Sequence, residues 1–320
     1  MDSVTVFAPA TVANLGPGFD VLGVAVEGMG DVVTARRLDG RAGVVVLEQV
    51  EGDGGRLPRD PTTNTAGIAA RATLDLLGVE EAGVALALHK GLPLNSGLGS
   101  SGASAAAACW AVNALFGAPL SRTELLPAAL EAEARVSGWH ADNVAPALLG
   151  GFVLIHSYAP LDVIRLPVPE DLIFVLALPD CELPTQQARR VLPKTISLRD
   201  HVANSGHLAA LVAGICTGNA RLLGRAVQDQ IVEPARASLI PGFARVKQAA
   251  IEAGALGCSI SGAGPTLFAV TDDEATAQRV AEAMRAAFAE AGLTSHTHIG
   301  RVDREGARQI PPPSREETPD

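Results

Sequence analysis

The residues best suited to chemistry lie in one stretch rich in glycine and serine, PLNSGLGSSGA, at positions 93–103. Its glycines can adopt backbone conformations closed to other residues and let amide groups come close to an anion. An alanine-rich helix is predicted to begin directly afterwards, so free N–H groups and the positive end of the helix dipole would face that anion. The stretch predicts a phosphate-binding loop, whose residues are Pro93, Leu94, Asn95, Ser96, Gly97, Leu98, Gly99, Ser100, Ser101, Gly102 and Ala103.

The same residues could instead form an ordinary loop before a buried helix, because short glycine patterns arise by chance. Two known phosphate motifs are excluded. A Walker A loop ends in Gly-Lys-Ser or Gly-Lys-Thr, which this stretch lacks. GLGSSG has the glycine spacing of a dinucleotide fingerprint but lacks the acidic ribose-binding residue of that motif.

Two polar residues near the N-terminus could share a cavity. Asn14 and Asp20 lie six positions apart, on either side of a Gly-Pro-Gly turn in APATVANLGPGFDVLGVAV. Apolar alternation predicts strands on both sides of the turn, at 4–7 and 21–26. Asn and Asp also commonly cap turns without further function, so this pair has a purely structural alternative.

Acidic residues follow the loop helix in EAEARVSGWHADNVAP, positions 131–146. Glu131 and Glu133 are two positions apart, so on a helix they point in different directions and only one can face the glycine loop. A hard cation that bridges phosphates prefers a carboxylate together with a hydroxyl and water, and Ser100 or Ser101 could supply the hydroxyl. Either glutamate could also lie on a solvated helix face.

The C-terminal half contributes two arginines and a second small-residue loop. Arg189 and Arg236 can each donate a planar pair of hydrogen bonds, which suits binding of a carboxylate, although either alone could be a surface residue. A tight loop between two strands, or a simple hairpin turn, is predicted at Ser261, Gly262, Ala263 and Gly264.

Capping signals and apolar periodicity predict the elements that position these groups. Asn64 is expected to cap a helix that Gly78 ends. Ser121 and Glu124 form a capping-box pattern for the helix that carries the acidic residues. Further strands are predicted at 32–37, 43–50 and 83–90.

The composition is that of a globular protein, with 48% hydrophobic and 19% charged residues among 320. A net charge of −10 argues against nucleic acid or an anionic membrane as a partner. The four cysteines are widely spaced and form no metal-binding pair. No basic leader or long apolar run is present, so a cytoplasmic location is expected. Prolines near residue 160 predict a boundary between domains at 1–160 and 161–310, followed by a disordered tail at 311–320.

These motifs together resemble the GHMP kinases, whose signature includes a proline followed by GLGSS. The phrases APA, AN and GFDVLG near the N-terminus and HADNVAP after the acidic helix are similar to the homoserine kinase branch, and SGAGP resembles a third family signature. The resemblance spans residues 5–270. It implies an α+β fold, with an N-terminal domain like ribosomal protein S5 domain 2 and a ferredoxin-like C-terminal domain, and it implies a homodimer.

The resemblance further implies a Mg-ATP-dependent kinase that phosphorylates the side-chain hydroxyl of L-homoserine to O-phospho-L-homoserine, on the route to threonine. It places the ATP base beside Asn64 and the phosphates on the glycine loop. It assigns Mg²⁺ to Glu133 and a loop serine, with Ser100 as the predicted serine.

The amino-acid site implied by the resemblance consists of Asn14, Asp20, His140, Thr185, Arg189 and Arg236. Asp20 is expected to meet the ammonium group and the arginines the carboxylate. Asn143 and Asp142 are implied at the reacting groups. Some relatives use an aspartate base where this chain has Asn143, which leads to the hypothesis that no dedicated base exists. The loop at 261–264 is expected to support the phosphate loop.

Two other functions stay open at this point. Another GHMP kinase, acting on mevalonate, a sugar or an isoprenoid precursor, would keep the glycine loops but has no reason to keep paired arginines together with AN and GFD. A non-catalytic ligand-binding relative should have lost the magnesium carboxylate or the loop serines, and both are present here.

Overall fold

The computed structural model describes residues 2–79 and 81–311. Its strands form two sheets, one of seven strands and one of four. In chain order the strands are β1 (Ser3–Ala13), β2 (Leu22–Asp39), β3 (Val45–Glu51), β4 (Ala82–His89), β5 (Phe152–Tyr158), β6 (Leu161–Leu166), β7 (Ile173–Pro179), β8 (Gly257–Ile260), β9 (Leu267–Thr271), β10 (Ser295–Arg301) and β11 (Arg308–Gln309).

Helices cover both sheets. They are α1 (Thr65–Leu77), α2 (Ser100–Leu115), α3 (Arg122–Val136), α4 (Val144–Leu149), α5 (Thr185–Arg190), α6 (Leu198–Cys216), α7 (Ala220–Ala226), α8 (Val232–Arg236), α9 (Phe243–Glu252) and α10 (Glu274–Glu290). A 3₁₀ turn, Ala237–Leu239, follows α8. Within the described residues, no helix combines the length and apolar character needed to cross a lipid bilayer.

The larger sheet has the order β11-β1-β2-β4-β3, and β5 pairs with the start of β2 and with β6. All of its pairs are antiparallel except β3 with β4. Helix α2 packs against β1 and β2 and is flanked by α1, α3 and α4. Nearly every residue of α2 is buried, because its alanines are small enough for neighbouring elements to approach on all sides.

The smaller sheet has the antiparallel order β10-β7-β9-β8. This is the strand order of a βαββαβ unit, and it confirms the predicted ferredoxin-like half. Helices α9 and α10 cover one face. The other face belongs to the core of the larger domain, where the ring of Phe174 lies 6.3 Å from that of Phe152 and 6.1 Å from that of Phe268. The two domains therefore share a continuous hydrophobic core.

The predicted helix caps are confirmed, whereas one prediction about the strands is wrong. The helix capped by Asn64 and ended by Gly78 is confirmed, as is the capping box of Ser121 and Glu124. The prediction of separate strands at 21–26 and 32–37 is wrong, because both belong to β2. Between these two stretches the pairing of β2 with β1 is irregular, and Gly28 there has φ +89°.

The chain divides less simply than the prolines near residue 160 predict. Strand β6, beyond the predicted boundary, pairs with β5 in the larger sheet, and β11 returns to that sheet from the far end of the chain. The boundaries at 1–160 and 161–310 stay a prediction. All but the first residue of the predicted tail, 312–320, lies outside the described residues.

Candidate active site

The glycine loop meets α2 at Gly99, the N-cap residue, which has φ +66°. A Cβ atom there would lie 1.9 Å from Thr11 Oγ1 and 2.7 Å from Asn143 Oδ1, so only glycine fits. No side chain caps this helix end. Gly99, Ser100 and Ser101 line an open cavity, so the unpaired N–H groups of the first turn are available to an anion there.

Most of the predicted site residues line that same cavity. Two residues that do not line it, Thr11 and Ser261, support the loop from behind. The carbonyl of Leu98 accepts a hydrogen bond from the Thr11 amide at 3.1 Å, and the Ser261 hydroxyl donates to the Gly97 carbonyl at 2.7 Å. The predicted residues outside the lining are Pro93, Leu98, Gly102, Ala103, Ser261 and Gly264.

One buried carboxylate in the cavity is suited to binding a cation. Glu133 is buried, and its Oε1 accepts a hydrogen bond from the Ser101 hydroxyl at 3.0 Å. Its Oε2 is buried and has no hydrogen-bond partner among the described residues. Burial raises the pKa of Glu133, and the charge of His140 only partly opposes this. An orphaned, desolvated carboxylate oxygen fits a hard cation such as Mg²⁺.

The structure distinguishes between the residues that could bind the metal ion. Glu131 lies on the exposed face of α3 and pairs with Arg135 at 2.7 Å, whereas Glu133 faces the loop. Ser101 contacts Glu133, while the Ser100 hydroxyl donates to the Leu92 carbonyl at 3.3 Å. Ser100 as the metal-binding serine stays a prediction, and the geometry favours Ser101.

His140 lies between two hydrogen-bond acceptors. Its Nδ1 is 3.2 Å from Asp142 Oδ1 and its Nε2 is 3.2 Å from the Ser137 carbonyl oxygen. Burial disfavours the charged ring, but the hydrogen bond and charge of Asp142, with the charge of Glu133, outweigh it and raise the pKa of His140 to about 9. The ring is therefore an imidazolium at neutral pH, with a proton for each acceptor.

The predicted amino-acid site holds an internal ion pair. Arg189 donates from Nη2 to Asp20 Oδ1 at 2.7 Å and from Nη1 to Oδ2 at 3.0 Å. Arg236 donates from Nη1 to the Gly262 carbonyl at 2.7 Å. Both guanidinium carbons lie 5.3 Å from the centre of the Phe19 ring. Burial and the neighbouring Arg189 charge lower the pKa of Arg236 to about 10.

Asn14 holds this site in place. Its Oδ1 accepts from the Asp20 amide at 3.1 Å, and its Nδ2 donates to the Gly262 carbonyl at 2.9 Å. Both Asn14 and Asp20 have positive φ, at 70° and 59°, a conformation that is sparsely populated outside glycine and is concentrated at functional sites. Thr185 and Ala263 complete the lining here.

Asn64 has the structural role that its position predicts. Its Oδ1 accepts from the Ala66 amide at 3.0 Å and its Nδ2 donates to the Pro58 carbonyl at 2.9 Å. It also lines the cavity, beside Pro58 and Thr63. Capping α1 and contacting a ligand are therefore compatible.

Comparison with known proteins agrees with this geometry. Residues 64–151 match the GHMP kinases N terminal domain and residues 211–290 match the GHMP kinases C terminal domain. A homoserine kinase from Arabidopsis thaliana is 54% identical over 313 residues, which cover 96% of this chain and 85% of that protein. The chain belongs to the GHMP kinase family, in its homoserine kinase branch. Family membership makes it an ATP-dependent small-molecule kinase.

Further relatives of this GHMP kinase cover nearly the whole chain. A homoserine kinase from Chlorobium phaeovibrioides is 47% identical over 96% of this chain and 99% of that protein. The crystal structure of homoserine kinase from Cytophaga hutchinsonii is 48% identical with a TM-score of 0.93, over 97% of this chain and 98% of that one. A mevalonate kinase from L. major, 14% identical over 92% of this chain and 95% of that one, shares the fold with a TM-score of 0.71.

The kinase also contains a buried ion pair that sequence reasoning missed. Lys90 contacts the Asp31 carboxylate and donates to the Ser100 carbonyl and the Ser104 hydroxyl, each at 2.8 Å. Asp31 Oδ1 accepts from the Leu92 amide at 3.2 Å. The pair ties the start of α2 to strands β2 and β4. The signal in the sequence was Lys90, a charged residue at the end of the mostly apolar segment 83–90.

A second missed contact joins the two domains of the kinase at the surface. Arg56, in the loop after β3, forms a bidentate ion pair with Glu182, which lies before α5. Asn95 of the glycine loop donates to Glu182 Oε2 at 3.0 Å. Arg56 and Asn95 both line the cavity. Nothing in the sequence links these surface loops.

Proposed function

We propose that this GHMP kinase transfers the γ-phosphoryl group of ATP to the side-chain hydroxyl of L-homoserine, giving O-phospho-L-homoserine and ADP. The observation that carries the proposal is the Asp20–Arg189 pair, in the same cavity as the glycine loop. The pair offers an anion for an ammonium group and a cation for a carboxylate. An amino acid has both groups, mevalonate lacks the ammonium and a sugar lacks both. Relatives named homoserine kinase at 46–54% identity support the same substrate.

Substrate binding divides between the two parts of the cavity. The amides at the start of α2 bind the phosphates and Asn64 lies beside the base. Asp20 binds the ammonium group while Arg189 and Arg236 bind the carboxylate. Asn14 fixes the Asp20 backbone, and His140 and Thr185 complete the site. Holding both substrates in one cavity orients the hydroxyl toward the γ-phosphorus, and positioning of this kind supplies much of the catalysis in phosphoryl transfer.

Glu133 and a loop serine would hold Mg²⁺, which supplies positive charge to the ATP phosphates when bound. The orphaned Glu133 Oε2 supports this assignment. No other charged side chain from α3 lines the cavity within the described residues.

The reaction needs no dedicated base in this proposal. A bond forms between the hydroxyl oxygen and the γ-phosphorus as the bond to the β,γ-bridging oxygen breaks, and the hydroxyl proton passes to an oxygen of the transferred phosphoryl group. His140 is already protonated, and Asp142 accepts from His140 at 3.2 Å and from Asn143 at 3.4 Å. A general base would give the pH–rate profile an acidic limb, where the rate rises as the base loses its proton. Loss of that limb in Asp142→Asn would overturn this part of the proposal.

We further infer that the enzyme works in threonine biosynthesis, in the cytoplasm and as a homodimer. The family resemblance supports each of these statements. Light scattering on purified protein tests the dimer, since a monomer at micromolar concentration would contradict it.

The function is tested by coupled ADP release with Mg-ATP and a panel of L-homoserine, L-serine, L-threonine, mevalonate and galactose. We expect strong turnover with homoserine alone. Turnover of another alcohol would keep the kinase and reject the substrate. Tight ATP binding without turnover of any member of the panel would favour a ligand-binding protein.

A further inference from the structure

Thr11 lies behind the cavity and joins the two segments that meet at the reacting groups. It is fully buried in β1. Its amide donates to the Leu98 carbonyl of the glycine loop at 3.1 Å, and its hydroxyl donates to Asn143 Oδ1 at 2.8 Å. Asn143 lines the cavity, whereas Thr11 does not. Thr11 can therefore affect the reaction only through the groups that it holds.

Thr11 and Asp142 together determine which way the Asn143 amide points. An amide oxygen only accepts hydrogen bonds and an amide NH₂ only donates them. The Thr11 hydroxyl could donate or accept, but the Asp142 carboxylate only accepts. The NH₂ group therefore faces Asp142, whose Oδ1 lies 3.4 Å away, and the amide oxygen receives the Thr11 proton. The contact is closely packed against Gly99, where a Cβ would lie 1.9 Å from the Thr11 hydroxyl oxygen.

We propose that Thr11 is a positioning residue. It holds the Asn143 amide oxygen, so that the NH₂ group, with one N–H on Asp142, keeps its second N–H for the phosphoryl group in transfer. The inference rests on the proposed function. Negative charge spreads over the phosphoryl oxygens in the transition state, and a preorganised N–H donor stabilises it. The opposite amide orientation would present lone pairs to the same charge and would slow the reaction.

The test compares Thr11→Val with Thr11→Ser in steady-state assays with Mg-ATP and L-homoserine. Valine keeps the branched shape and removes the hydroxyl, whereas serine keeps the hydroxyl. We expect Thr11→Val to lower kcat by roughly 10-fold or more, on the scale of losing one oriented donor, with both KM values within about two-fold of wild type. Thr11→Ser restores kcat. Thr11→Val combined with Asn143→Ala is no slower than Asn143→Ala alone.

A second variant, Asn143→Asp, tests the donor directly. An aspartate still accepts from the Thr11 hydroxyl but has no N–H group, so kcat falls as in Asn143→Ala. If Thr11→Val does not fold by circular dichroism, the retained kcat of Thr11→Ser and the lost kcat of Asn143→Asp decide the question.

Several results would overturn the inference. These are wild-type kcat in Thr11→Val or in Asn143→Asp, a raised KM for ATP at unchanged kcat, and full additivity of Thr11→Val with Asn143→Ala. Wild-type protein assayed in parallel separates the two claims. Wild type that fails to phosphorylate homoserine rejects the proposed function and this role with it, whereas active wild type with an unaffected Thr11→Val rejects the role of Thr11 alone.

Discussion

Glu131 and Glu133 of α3 provide a matched pair for testing the metal site. Glu133→Gln should lower kcat and raise the Mg²⁺ concentration for half-maximal rate, because it removes the charge of the buried oxygen that has no hydrogen-bond partner among the described residues. Losing one charge-assisted contact costs roughly 1.5 to 3 kcal/mol, or about 10- to 100-fold. Glu131→Gln, on the exposed face, should leave the Mg²⁺ titration unchanged. A larger shift in Glu131→Gln would reverse the assignment.

Arg189 and its neighbour Arg190 give a similar comparison for the amino-acid site. Arg189→Ala should raise the KM for homoserine by about 10- to 100-fold and change that for ATP little, because it removes a guanidinium that we propose binds the substrate carboxylate. It also leaves Asp20 without its bidentate partner. Arg190 is exposed, so Arg190→Ala should match wild type. Equal increases in both KM values would contradict the role of Arg189.

His140 should make stability depend on pH. Its pKa rises from 6.5 to about 9 on folding, so its contribution is fully present below pH 6.5 and is lost as pH rises toward 9. The shift corresponds to up to about 3 kcal/mol. Urea unfolding of wild type at pH 6, 7.5 and 9 should show this fall, and His140→Gln should flatten it. His156→Gln, an exposed histidine, is the control. A wild-type profile that is flat in this window would rule out the charged ring.

At the scale of elements, two glycines with the same backbone conformation allow the cost of a strained backbone to be distinguished from the cost of a steric clash. Gly78 ends α1 at φ 64°, ψ 29°, and Gly99 begins α2 at φ 66°, ψ 30°. Among the residues that the structure describes, a Cβ on Gly78 meets nothing within 4 Å. Gly78→Ala should therefore cost only the left-handed conformation, about 1 to 2 kcal/mol.

Gly99→Ala should cost more in thermal and urea unfolding and should also abolish most turnover. Its Cβ would collide with Thr11 and Asn143, so the loop and α4 cannot both keep their positions. Equal losses of stability in Gly78→Ala and Gly99→Ala would mean that the glycine loop can shift to accommodate the added Cβ at little cost in free energy.

The elements also show what sequence could predict. The caps of α1 and α3 lie within a few residues of their partners, so the sequence alone identified them. The continuity of β2 depends on pairing with β1, β4 and β5, which no local pattern contains. The same limit applies to the site. Motif residues were identified by type and spacing, whereas Lys90 pairs with Asp31 across 59 positions and Thr11 with Asn143 across 132.

At the scale of the molecule, the Arg56–Glu182 pair joins the two domains beside the cavity. Glu182→Gln should speed ADP release, measured by stopped flow with a fluorescent ADP analogue. The effect should be at most about five-fold, because exposed ion pairs contribute 1 kcal/mol or less. The difference in release rate between Glu182→Gln and wild type should become smaller in 1 M salt, which screens the ion pair. Exchanging the charges, Arg56→Glu with Glu182→Arg, should restore the wild-type rate.

Glu290→Gln is the control for this bridge. It disrupts another exposed pair, with Arg245 at 3.0 Å, between α9 and α10 in the smaller domain. Faster release in this variant would show that the rate responds to surface charge in general rather than to the bridge.

The pairing of β11 with β1 has a consequence for synthesis of the chain. Residues 308 and 309 pair with residues 7 and 6, so this part of the outer edge of β1 is paired with chain made about 300 residues later. At about 5 to 20 residues per second, a ribosome takes roughly 15 to 60 seconds to make that length. An unpaired strand edge is a template for other chains. The pace of translation thus sets how long each nascent chain exposes this edge to its neighbours.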